Sequence, residues 1–128
     1  MLEKNYLLKL TETHLKKCTL NGSELVDVIG DEIGFSFDHI GNGDKVEFEA
    51  VIENTDQKTM LRCYKPKSKS EKRFSIASLS KHAKAGDVLT VWIDQEKEYP
   101  IRIKIVKPDV DGFKGKPVEG LRKFLKFG

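Results

Sequence analysis

No apolar run in this chain of 128 residues approaches the ~20 residues a helix needs to span a bilayer. The opening stretch "MLEKNYLLKL" mixes acids and bases and lacks the apolar core and small-residue cleavage site of a secretion signal. The expected compartment is therefore cytoplasmic. Cysteine is scarce: Cys18 and Cys63 form neither a disulfide framework nor a metal motif. Each lies in an apolar-alternating stretch, where a free thiol behaves as a small buried hydrophobe. His14, His39 and His82 are scattered. P-loop, nucleophile-elbow, His-Glu-x-x-His and Cys-x-x-Cys patterns are all missing. A small nuclease using a His with a Lys or Arg has its residue types here but no diagnostic spacing. An enzyme is thus the weakest of three readings, and neither a cofactor nor a metal is expected.

What is present fits one globular domain with a real core: 34% charged and 38% apolar residues over 128 positions. The net charge of +3 hides an asymmetry. Residues 24–56 carry ten acids against Lys45, a net −9, and residues 57–86 carry nine bases against Glu71, a net +8. Such a distribution makes a dipolar surface.

Two stretches 43 residues apart share one pattern, "DHIGNGDKVEF" (38–48) and "KHAKAGDVLTV" (81–91). His39, Gly43 and Asp44 match His82, Gly86 and Asp87. In each, glycine supplies a sharp turn at positive φ, aspartate bonds backbone amides in the bend, and a strand begins. The pair predicts an internal structural repeat, with the two histidines packing or capping.

Period-two alternation predicts strands at "NYLLKL", "KVEFEAVIE", "TMLRCY", "RFSI", "VLTVWI" and "IRIKIV", with 45–64 a hairpin. "TETHLKKCTL" reads as a polar strand at the rim. Short helices are expected near 23–29, capped by Asn21 or Ser23 and ended by Gly30, and near 77–84. The fold class is mostly β: a barrel of about six to eight strands over residues 1–106. Residues 107–128 read as a linker and a short basic amphipathic tail, with "VEGLRKFLKFG" as a helix.

The order of these elements, and "RFSIASLSKHAKAGDVLTVWI" (73–93) in particular, resembles the DNA-binding pseudobarrel. That fold is shared by plant transcription-factor domains and effector domains of restriction endonucleases. The Gly-Asp units resemble the GD box of cradle-loop barrels. The resemblance covers residues 5–106. It implies two arms that grip the DNA major groove, one after the first strand and one in a middle loop. Here the arms are Lys16, Lys17, Thr19, Asn21 and Ser23, then "KPKSKSEKR" with Lys65, Lys67, Lys69, Lys72 and Arg73.

A mobile Lys/Ser loop suits phosphate contact through counterion release. Base readout would fall to Arg62, Arg73 or Asn21, whose side chains make bidentate pairs with base edges. The first function expected is nucleic-acid binding, with duplex DNA favoured. The same loop also reads as a solvated edge that keeps a sheet soluble. The alternative function is a protein-binding adaptor, using the acidic 24–56 face with Glu47, Glu49 and Glu53, or the C-terminal tail.

Overall fold

The computed structural model describes residues 3–17, 20–68, 71–107 and 122–125. The alternating stretches form β1 (Glu3–Lys9), β2 (Leu20–Asn21), β3 (Lys45–Ile52), β4 (Gln57–Tyr64), β5 (Arg73–Ile76), β6 (Val88–Ile93) and β7 (Ile101–Val106). A further strand, β8 (Arg122–Leu125), pairs with β1. The sheet order is β2-β5-β4-β3-β7-β6-β1-β8. All neighbours are antiparallel except β3 and β7, which run parallel with Ala50 opposite Ile101. Strands β1 to β7 make the mostly-β, strongly curled half-barrel that the alternation predicts.

Tyr6 on β1 and Phe74 on β5 measure the curl. Five strand spacings separate these strands in the sheet order, about 24 Å if the sheet were flat. Their rings meet edge to face with centroids 5.7 Å apart. The inner face so enclosed carries Leu8, Leu10, Ala50, Ile52, Leu61, Cys63, Leu89, Val91, Ile103 and Ile105, all buried. Beyond the end of β3, Asn54 substitutes for a strand residue. Its Nδ2 donates to the Ile105 carbonyl at 2.8 Å, and its Oδ1 accepts from the Ile105 amide at 2.8 Å.

Three helices accompany the sheet where two were expected: α1 (Glu12–Lys17), α2 (Gly22–Ile33) and α3 (Leu79–His82). Helix α1 replaces the rim strand expected of "TETHLKKCTL". Its start is closed reciprocally: the His14 amide donates to Thr11 Oγ1 at 3.2 Å and the Thr11 amide to His14 Nδ1 at 3.1 Å. This is a capping box with an imidazole where Glu or Gln is usual. His39 does the same at a 3-10 turn, Phe37–His39, accepting from the Ser36 amide at 3.3 Å. Capping is thus the role of His39.

Asn21 caps α2, accepting from the Glu24 amide at 3.3 Å. The helix runs past Gly30, its expected end, to Gly34, which takes the left-handed conformation (φ 67°) that closes a helix. Gly30 is buried inside it instead. Leu25, Val28 and Ile29 are its buried side chains. At about 1.5–3 kcal/mol each, they secure a helix that would be marginal alone.

The tail differs from expectation where it is described. Arg122–Leu125 is a strand, not part of an amphipathic helix, because the outer edge of β1 offers backbone partners there. Most of the expected linker and tail lies outside the described residues.

The two Gly-Asp units are the same turn. Gly43 and Gly86 have φ 88° and 95°. The Asp44 amide donates to the Gly41 carbonyl at 3.0 Å, and the Asp44 carboxylate accepts from the Gly41 amide at 2.9 Å. The Asp87 amide donates to the Lys84 carbonyl at 3.0 Å, and its carboxylate accepts from the Lys84 amide at 2.9 Å. Each turn also clamps the end of a neighbouring strand. Gly43 donates to the Lys65 carbonyl at 2.8 Å and Lys65 donates back to Asp44 at 3.1 Å. Gly86 donates to the Leu10 carbonyl at 2.8 Å and Leu10 donates back to Asp87 at 2.8 Å. The hairpin β3–β4 and the pair β6–β1 are therefore equivalent halves.

Candidate nucleic-acid interface

The two clamped residues are where two excursions leave the sheet. From Leu10 the chain enters α1 and returns as β2. From Lys65 it makes the Lys-rich loop and returns as β5. The returns pair with each other: Leu20 lies opposite Phe74, and Asn21 opposite Arg73. The Gly22 amide adds a bond to the Lys72 carbonyl at 2.9 Å. Only glycine fits at this approach. A Cβ on Gly22 would lie 2.5 Å from the Phe37 ring and 2.9 Å from the Arg73 carbonyl carbon.

Two clefts lie where the excursions meet. The first, of about 390 Å³, is lined by Lys17, Lys45, Arg62, Tyr64, Lys65 and Lys67, with Asp44 and Ser75. The second, of about 380 Å³, is lined by Leu20, Asn21, Ser23, Glu71, Lys72 and Arg73. Nine of the eleven residues singled out from sequence are described, and eight of them line these clefts: Lys17, Asn21, Ser23, Arg62, Lys65, Lys67, Lys72 and Arg73. Lys16 is exposed on α1 and lines neither. Lys69 and Thr19 lie outside the described residues.

Several of these side chains already have partners. Lys65 Nζ donates to the Ile40 carbonyl at 2.8 Å, which ties the second excursion to the first Gly-Asp turn. Arg62 Nη2 meets Glu47 Oε2 at 3.3 Å. Arg73 donates to Glu71 Oε2 through Nε at 2.8 Å and through Nη2. The Glu71 carboxylate, and less strongly the Tyr64 hydroxyl, hold the Arg73 guanidinium above its ordinary pKa.

Lys45, Tyr64 and Ser75 were not singled out from sequence. Register places them: Lys45 opposite Tyr64, Tyr64 opposite Arg73, and Arg62 opposite Ser75. Outward alternation along β4 is the one signal that could have joined Tyr64 to Arg62.

The acidic strand face is not a uniform patch. Glu47 pairs with Arg62 and lies 3.8 Å from Lys45 Nζ, and Glu53 pairs with Arg102. Below the basic face, Cys63 is fully buried, and burial pushes its thiol up to about 12. It is a packing residue, as expected. Among the described residues no three His, Cys, Asp or Glu side chains group to hold a metal ion. No helix among them is long and apolar enough to cross a membrane. Comparison with known protein families, with curated proteins and with solved structures finds no match to this chain.

Proposed function

We propose that this chain is a nucleic-acid-binding domain that grips duplex DNA with two basic arms. The observation that carries the reading is the convergence of two segments, distant in sequence, on adjoining clefts lined by Lys17, Lys45, Arg62, Lys65, Lys67, Lys72 and Arg73. Lysines on excursions that project from the sheet suit phosphate oxygens, whose neutralisation releases counterions. Arg73 and Asn21, side by side where the arms close, are the residue types that read guanine and adenine edges. The half-barrel with paired Gly-Asp turns is the architecture in which the pseudobarrel resemblance expects such arms.

Salt titration tests this. With three to five phosphate contacts, log affinity for duplex DNA should fall against log salt with a slope of about −3 to −4.5. Single strands and RNA in parallel rank the nucleic-acid classes. Failure of the wild-type protein to bind any of the three at low salt overturns the reading. The protein-binding adaptor then takes first place.

A further inference from the structure

We infer that Glu71 is a positioning residue that holds the Arg73 guanidinium for end-on recognition of a guanine edge. This deepens the duplex-DNA reading and rests on it. Arg73 opens β5 at the point where both arms close, its backbone paired to Asn21 on one side and Tyr64 on the other. Glu71 is the acid within the basic loop, and it bonds Arg73 through one carboxylate oxygen. A carboxylate in an arm that grips phosphates weakens generic attraction, so charge alone gives it no use there. Its contacts give it one. Nε and Nη2 form the side edge of the guanidinium, and Glu71 takes that edge. Guanine O6 and N7 are met by the end edge, Nη1 with the second hydrogen of Nη2.

Holding one edge thus presents the other. It also removes the rotational freedom that would let a long side chain settle on any phosphate. Tyr64 lies directly opposite Arg73 in the register of β4 and β5. The side chains fit such a role, Arg73 being 26% exposed and Glu71 53%. Arg62 and Glu47 make a looser version of the pair, with both side chains more than one-third exposed.

The experiment binds the full chain and its Glu71→Ala, Arg73→Lys and double variants to a random duplex pool, then sequences the bound fraction. One bidentate Arg–guanine pair is worth about 5- to 140-fold in discrimination. The wild type should enrich G at one position. Glu71→Ala, which removes the acceptor, should cut that preference at least about fivefold while total affinity for the pool holds or rises. Arg73→Lys should remove the same preference, and the double variant should lose no more than Arg73→Lys. Glu71→Ala with an unchanged preference overturns the inference. So does a preference that survives Arg73→Lys, because Glu71 would then act without it. A wild type that binds the pool with no preference overturns the inference and leaves the DNA reading standing. A wild type that does not bind duplex at all overturns both.

Discussion

Replacing Gly22 by Ala tests the seam that joins the two arms. The new Cβ would stand 2.5 Å from Phe37 Cζ and 2.9 Å from the Arg73 carbonyl carbon. The first gap is about 1 Å short of a ~3.5 Å carbon contact. Phe37 is only 3% exposed, so its ring has no room to swing out. The other contact is backbone, held by the pairing of Asn21 with Arg73. Relief must come from parting β2 from β5 or from moving the ring against Phe35, whose centroid is 5.2 Å away. Overpacking of this kind costs about 1–3 kcal/mol. The better helix propensity of Ala returns under about 1 kcal/mol, and less at a first helical position. In urea, with a slope of about 2 kcal/mol/M, the midpoint should fall by about 0.5–1.5 M at unchanged slope. Phe37→Leu alone also destabilises, but combined with Gly22→Ala the losses should fall short of their sum by about 0.5 kcal/mol or more, because the smaller side chain makes room. A single-variant midpoint within about 0.2 M of wild type would refute the close approach at the seam.

Asn54→Ala removes both bonds to Ile105 and should cost about 1–3 kcal/mol in urea melts, with faster amide exchange at Ile105. Asn54→Asp, which keeps only the acceptor, should lie between. Cys63 should resist thiol reagents in the native state and react on unfolding, since burial raises its thiol from 9.0 to about 12. Between these values the unfolded chain loses a proton that the native chain keeps. Stability therefore falls as pH rises through that window, by up to about 1.4 kcal/mol per pH unit. The difference between wild type and Cys63→Ala isolates this component, and a difference independent of pH from 8 to 11 would contradict it. Lys67→Ala with Lys72→Ala should flatten the salt slope of duplex binding by about 2 if both touch phosphate. Stability should barely change, because both side chains are exposed. An unchanged slope would remove these two lysines from the phosphate contacts.

Strands were legible because alternation is a local signal: Val46, Phe48, Ala50 and Ile52 can face one core only if 45–52 is extended. The Gly-Asp turns were legible because positive φ and a short carboxylate point to specific residues. Helix α1 was not, since Thr11 and His14 close its start with an imidazole in place of a Glu or Gln. The length of α2 was not legible, because glycine ends a helix only when it takes the left-handed conformation, as Gly34 does and the helical Gly30 does not. In the site, Lys17, Lys65 and Lys67 stand out by charge density. Lys45 and Ser75 reach the same cleft only through cross-strand register, which alternation within one segment does not contain. Glu47 meets Arg62 through the same kind of register. Glu71 lies two residues before Arg73, and its pairing could have been anticipated from period two.

The repeat and the site have one explanation. A half-barrel of two equivalent halves has two equivalent strand exits, Leu10 after β1 and Lys65 after β4. Each is clamped in both directions by the Gly-Asp turn of the strand beside it. Because the halves are related and the sheet curls, the two excursions approach each other and their returns pair as β2 and β5. The repeated turn therefore does more than start two strands. It sets two basic excursions next to each other, and Gly22 and Asn21 close the gap between them. A ligand that bridges the arms meets cations from both halves at once, while the acids of α2 belong to the segment between the exits and the first turn.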